Sequence, residues 1–265
     1  MQKRETVFIT GANQGLGYET AKQLIGNNYF VYLGSRNIKR GEETATKLED
    51  LGLVNFKMVQ IDVTDNDSIK AAAQELQQSV PQLDVLINNA GISGPMPSKE
   101  ETLAVLENPA PGVVTQQAST LGIEEIRNVF DVNFFGAIQV TQALIPLLKK
   151  SSHPRIVNVT SSLGSLANHS DPAAPWYDFF KKWKLAAYNS SKAALNAYTV
   201  MLAAELENTP FKVNSITPGF AATNLNNYAG TQSPVEAAKV IFDYATIGEN
   251  GPTGKFYDEN GELAW

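Results

Sequence analysis

The chain has 265 residues, 43% hydrophobic and 18% charged, with a net charge of −6 at pH 7 and no cysteine. This composition suits a folded core. The charge balance argues against a nucleic-acid or anionic-membrane footprint, and the absence of cysteine excludes disulfides, thiolate metal sites and a cysteine nucleophile. The start MQKRETVFITGA lacks an apolar leader and no run is long enough to span a bilayer, so a cytoplasmic protein is expected.

Residues 7–10 (VFIT) are a short apolar run and predict a buried strand. GANQGLG follows, comprising Gly11, Asn13, Gln14, Gly15, Leu16 and Gly17, and then the amphipathic ETAKQLIGNN. The spacing is GxxxGxG, and no Gly-Lys-Ser/Thr completes a Walker loop. A glycine turn between strand and helix lets backbone N–H groups approach a pyrophosphate at a helix end of partial positive charge. FVYLGSR, from Phe30, predicts the second strand. An acidic residue about 20 positions past the glycines marks NAD. Ser35, Arg36 and Asn37 stand there instead, with Lys39 and Arg40 beyond. A guanidinium matches a 2′-phosphate, so NADP(H) is expected.

Residues 41–52 read as a charged helix, and Phe56 to Asp65 as a third strand and turn. Asp62 is a candidate acceptor for an adenine amino group and Val63 a candidate packing surface for its ring, while Asp65 or Asp67 suits the cap of the helix SIKAAAQELQQSV. Leu83 to Gly91 predicts the fourth strand, ending in Asn89, Ala90 and Gly91. The polar, Pro- and Gly-rich stretch 93–121 reads as a functional loop. Residues 124–148 predict one or two helices with Asn133, a poor interior residue, in the middle. Arg155 to Ser165 starts as a strand and ends in hydroxyls. Residues 166–186 interrupt the pattern with Pro172, Pro175 and WYDFFKKWK, aromatics that line a pocket or, with more weight, cover the core.

The run LAAYNSSKAALNAYTVMLAAEL predicts a helix without Pro or Gly. It stacks Tyr188 over Lys192 on one face. A free Tyr loses its proton near pH ~10. An ammonium about 4 Å away, at an effective dielectric of about 20, is worth roughly 4 kcal/mol, enough to bring the phenol near pH ~7. KVNSITPGF predicts a sixth strand and turn, 233–247 a last helix, and the C-terminal segment a short strand. The alternation implies a single domain over 1–265, an α/β Rossmann-type doubly wound parallel sheet with helices on both faces.

These residues resemble the short-chain dehydrogenase/reductase family over essentially the whole chain: TGANQGLG at Thr10–Gly17, NNAG at Asn88–Gly91, Asn133, the serine after the fifth strand, YNSSK at Tyr188–Lys192, and PGFAAT at Pro218–Thr223. The carbonyl reductases, enlarged between serine and tyrosine, resemble it best. The resemblance implies that Tyr188 donates a proton to a carbonyl oxygen while NADPH delivers hydride. It implies that Lys192 lowers the phenol's pKa and holds the nicotinamide ribose, and that Asn133 positions a water linking Lys192 to solvent. Ser161 is expected to bind the substrate oxygen, with Ser162 the competitor. By the same alignment Asn89 is expected near the adenine ribose, Gly91 to allow close approach, Thr223 to reach the nicotinamide carboxamide or a phosphate, and Pro218 and Gly219 to shape that turn. Substrate loops are expected near 93–121, 163–187 and 220–232, and a monomer is favoured by analogy. The alternative is an NADP-binding sensor or scaffold without turnover. A hydrolase is disfavoured, because there is no GxSxG elbow and His153 and His169 suggest neither triad nor metal site.

Overall fold

The short apolar runs become strands in the computed structural model, which describes residues 4–96, 98–107, 116–174, 177–182 and 184–265. The strands are β1 (Thr6–Ile9), β2 (Phe30–Ser35), β3 (Phe56–Gln60), β4 (Val85–Asn88), β5 (Arg155–Val159), β6 (Lys212–Ile216), β7 (Lys255–Asp258) and β8 (Gly261–Glu262). They form one sheet in the order β3-β2-β1-β4-β5-β6-β7-β8. Every pairing is parallel except β7 with β8.

Both faces of the sheet are covered, which explains why β1, β2, β4 and β5 read as nearly continuous apolar runs rather than alternating ones. On one face Val7, Ile9, Val31, Leu33, Val85 and Ile87 pack with Leu24 of α1 (Gly15–Gly26), Leu48 of α2 (Ile38–Asp50) and Ile241 of a late helix, Pro234–Ala245. On the other, Phe8, Leu86, Ile156 and Val213 meet Leu76 of α3 (Asn66–Ser79) and residues of the later helices. The alternate residues of β1 thus serve opposite cores.

Asp65 caps α3, accepting from the N–H groups of Asp67 and Ser68. The stretch expected as a loop, 93–121, contains a helix, α4 (Lys99–Glu107); its residues 108–115 lie outside the described ones. The Glu124–Leu148 segment is helical throughout its length: α5 (Ile123–Phe130), a π-helical turn (Asp131–Phe135) and α6 (Gly136–Leu148). Asn133 sits in the π turn, so the poor helix former marks a widened turn and not a break. After β5 come a 3₁₀ turn (Ser162–Gly164), α7 (Leu166–Ser170) and α8 (Tyr177–Lys182). Of the aromatic run there, Phe180 is buried, with its ring 5.1 Å from that of His169; Pro175, Trp176 and Trp183 lie outside the described residues. The YNSSK run forms α9 (Ala186–Glu205), and the late helix is α10 (Pro234–Ala245).

Strand order reverses between β1 and β4, so connections leave to opposite sides and open a crevice at the carboxyl ends of the strands. The glycine turn after β1, the Asn89–Gly91 turn after β4, the Ser161 turn after β5 and the Pro218 turn after β6 all gather there.

Candidate active site

A cavity of about 500 Å³ occupies this crevice, a volume typical of a ligand site. Its walls include Gly11, Asn13, Gln14, Gly15, Leu16, Arg36, Asn37, Asp62, Val63, Asn89, Ala90 and Gly91 at one end. Ser161, Tyr188, Lys192, Pro218, Gly219 and Thr223 line it further along. Residues far apart in sequence are therefore brought together as expected from the motifs. Gly17, Ser35 and Asn133 are not among the wall residues.

Gly11 and Gly15 adopt left-handed backbone angles, φ +64° and +56°, and a Cβ on Gly11 would stand 3.0 Å from the Cα of Ala90. Asn89 holds this turn, donating from Nδ2 to the carbonyls of Thr10 at 2.9 Å and Gly11 at 3.0 Å. The first turn of α1 packs so tightly at Gly17 that a Cβ would lie 2.5 Å from both Asn89 Nδ2 and the Gly11 carbonyl. Gln14 at the N-cap of α1 makes no side-chain capping hydrogen bond. The helix therefore presents free backbone donors and its positive end to the cavity, a fit for a pyrophosphate.

At the end of β2, Ser35 is buried and donates to the Asn37 carbonyl, and the Asn37 side chain accepts from the Arg40 N–H as the cap of α2. That leaves Arg36 and Arg40 at the cavity mouth. Arg36 Nε is 4.0 Å from an Asp62 carboxylate oxygen. Burial raises the pKa of Asp62, but hydrogen bonds from the Thr64 N–H and hydroxyl, with Arg36 nearby, lower it overall. Ile61 lines the cavity without having been expected as a site residue, while Arg40 stands at the expected phosphate end and Phe220 and Asn224 fall in the loop expected near 220–232.

At the far end, Tyr188 and Lys192 are both buried on α9. The expected electrostatic relation between them differs in the structure. Burial pushes the Tyr188 phenol up to about 12, and a hydrogen bond with Ser161 only partly opposes this. Burial also lowers the Lys192 ammonium to about 8. The reason is geometric: Lys192 Nζ lies 5.7 Å from the Tyr188 ring centroid and donates to the Val159 carbonyl at 2.9 Å. Desolvation here outweighs the attraction that the four-residue spacing suggests.

Ser161 lines the cavity together with Tyr188. Its hydroxyl also accepts from the Leu163 N–H at 3.2 Å. Ser162 is not among the cavity-lining residues, and its backbone N–H donates to the Thr217 hydroxyl at 3.1 Å. Asn133 clamps the loop after β4: its amide accepts from the Ile92 N–H at 2.8 Å and donates to the Ile92 carbonyl at 2.9 Å and to Ser191 Oγ at 3.0 Å. A Cβ on Gly91 would be 3.3 Å from Asn133 Oδ1 and 3.5 Å from Lys192 Nζ, so these three residues are immediate neighbours. Met96, Leu163 and Leu225 pack around Leu185 and Tyr188. No helix among the described residues is long and apolar enough to cross a membrane.

Buried Tyr188 and Lys192 and half-buried Ser161 thus share a crevice with a glycine turn and an open helix end, an arrangement that fits an oxidoreductase with a Rossmann-type fold. The short chain dehydrogenase family model matches residues 5–234. The chain is 34% identical to (-)-isopiperitenone reductase of Mentha piperita, covering 97% of each chain. It is 33% identical to salutaridine reductase of Papaver somniferum, over 97% of this chain and 94% of that one. The solved structure of the latter enzyme superposes with a TM-score of 0.79 at 30% identity, over 96% of this chain and 99% of that chain. NADPH-bound carbonyl reductase from chicken fatty liver shares the fold, with a TM-score of 0.76 at 22% identity over 99% of this chain and 100% of that chain. The chain belongs to the short-chain dehydrogenase/reductase family and is an oxidoreductase of that family.

Proposed function

We propose that the protein reduces a ketone or aldehyde to an alcohol, reversibly, with NADPH. The observation that carries this reading is that Ser161 and Tyr188 line one cavity wall with Lys192 one helical turn on. When bound, the nicotinamide supplies or accepts the hydride. The chain supplies the rest. The glycine turn and the open end of α1 take the pyrophosphate, and Arg36 with Arg40 takes a 2′-phosphate. Ser161 and Tyr188 converge their hydroxyls on a carbonyl oxygen, where negative charge develops during reduction. Tyr188 gives that oxygen its proton, and a phenol kept protonated by burial holds the proton until it is needed. Lys192 becomes the compensating charge as the phenol ionises. The Asn133 clamp beside Gly91 and Lys192 supports a positioning part for Asn133 in the expected link from the ammonium to solvent.

The substrate end is apolar, walled by Met96, Leu163, Leu185 and Leu225. This favours an uncharged, hydrophobic carbonyl compound, in keeping with relatives named for reducing isopiperitenone and salutaridine. A monomer is the expected state, because α7 and α8 lie before Tyr188 and His169 of α7 comes within 3.5 Å of Asn189 on α9. A reductase and a non-catalytic NADP sensor separate in one assay: NADPH absorbance loss across hydrophobic ketones and aldehydes. Tyr188→Phe should lower kcat at least 10²-fold while binding NADPH normally, and Ser161→Ala should cost more than Ser162→Ala. Parent-speed turnover by Tyr188→Phe would falsify the mechanism, and NADPH binding without turnover on any carbonyl favours the sensor.

A further inference from the structure

The first turn of α9 has no cap of its own, since Leu185 stands at the N-cap position. A helix opens with backbone N–H groups that lack intrahelical partners. Here Gln116, which precedes Ala187 by 71 residues, takes them. Its backbone carbonyl accepts from the Ala186 N–H at 3.1 Å. Its side-chain Oε1 accepts from the N–H of Ala187 at 3.1 Å and of Tyr188 at 3.3 Å. The other half of the same amide, Nε2, donates to the carbonyls of Ser93 at 2.7 Å and Pro95 at 2.9 Å. The side chain is fully buried, and both of its donors and both acceptor positions are used.

One planar amide thus joins two walls of the substrate end: the loop bearing Ser93 and Met96, and the backbone of Tyr188. We infer that Gln116 is a positioning residue of the reaction, which sets the separation between the proton-donating phenol and the opposite pocket wall. The inference rests on the reading of Tyr188 as proton donor. Its physical basis is that a displacement of about 1 Å at the reacting groups can cost on the order of 10²-fold in rate. A helix cap alone needs only an acceptor. The two bonds from Nε2 to the loop are what a cap does not require and a spacer does.

Gln116→Met keeps the shape and loses every side-chain bond. Gln116→Glu keeps the acceptor for Ala187 and Tyr188 but turns a carboxylate on the Ser93 and Pro95 carbonyls, which releases the wall. The cofactor end is built by other elements, so both variants should bind NADPH within about twofold of the parent. Gln116→Met should lose about 10- to 100-fold in kcat. Gln116→Glu should raise KM for the carbonyl substrate. It should also shift the pH limb assigned to Tyr188, because the surroundings of the phenol change when the opposite wall is released. Tyr188→Phe is measured alongside. If Tyr188→Phe is impaired while both Gln116 variants keep the parent's kcat, KM and pH profile, this inference alone is overturned. If Tyr188→Phe turns over at the parent rate, the reading of Tyr188 and the inference fall together. Should Gln116→Met not fold, Gln116→Glu decides: an unchanged KM and pH profile overturns the inference.

Discussion

Lys192 is enclosed on α9, and burial lowers its ammonium to about 8 from the ordinary lysine value of 10.5. Between those values the unfolded chain holds a proton that the folded chain has released, so stability rises with pH across that window. Tyr188 has the opposite sign: its folded value of about 12 against 10.0 means stability is lost as pH rises above about 10. A buried charge of this kind costs the fold stability. Lys192→Met should therefore stabilise the ligand-free protein at pH 7 by about 2 kcal/mol, allowing for the lost bond to Val159, and abolish turnover. Urea unfolding at pH 7, 8, 9 and 10 checks this as the difference between variant and parent, which should shrink toward pH 10. A variant less stable than the parent at pH 7 contradicts the assignment. The pair itself was legible in the sequence, since spacing on a helix is a local property. The sign of its electrostatics was not, because burial and the Val159 carbonyl come from strand β5, 33 positions away.

The π turn at Asp131–Phe135 shows what an element contributes. Widening the helix there aims the Asn133 amide at both backbone groups of Ile92, which have no strand partner beyond β4. Asn133→Ala should leave these partly buried groups without their partner and cost about 1–3 kcal/mol. It should also lower kcat by loosening Gly91 beside Lys192. Chemical denaturation and steady-state kinetics read the two effects, and a variant with parental stability would show the clamp to be idle. Strands and long helices were legible because apolar period and glycine punctuation are written in consecutive residues. Asn133 was visible as an anomaly in a helical run, though the π geometry was not. α4 left a usable trace, the reciprocal Ser98–Glu101 pair, a capping-box pattern just before a helix. Gln116 left none. Its partners lie at 93, 95 and 187–188, and only the folded chain shows that one amide meets all of them.

Over the whole molecule, a net charge of −6 works against any polyanionic ligand, yet the mouth of the crevice holds Arg36 and Arg40. The strand order explains the place: the reversal between β1 and β4 opens the crevice, and β2 beside β1 brings its end next to the glycine turn. Arg36 has a side-chain exposure of 76% and only a 4.0 Å contact with Asp62, so its charge is available to a ligand and open to screening. Two consequences follow for a cofactor with a 2′-phosphate. Affinity for NADPH should fall with ionic strength more steeply than affinity for NADH, since at about 0.1 M salt the screening length is roughly 10 Å and at about 1 M roughly 3 Å. Arg36→Asp should weaken NADPH binding by about 10- to 100-fold, the worth of one or two charge-assisted hydrogen bonds. NADH, which lacks the phosphate, should change little. Arg40→Ala should fall between parent and Arg36→Asp. Fluorescence titration with both reduced cofactors at two salt concentrations measures each term, and an Arg36→Asp variant with the parent's NADPH-to-NADH ratio would move the phosphate site away from β2.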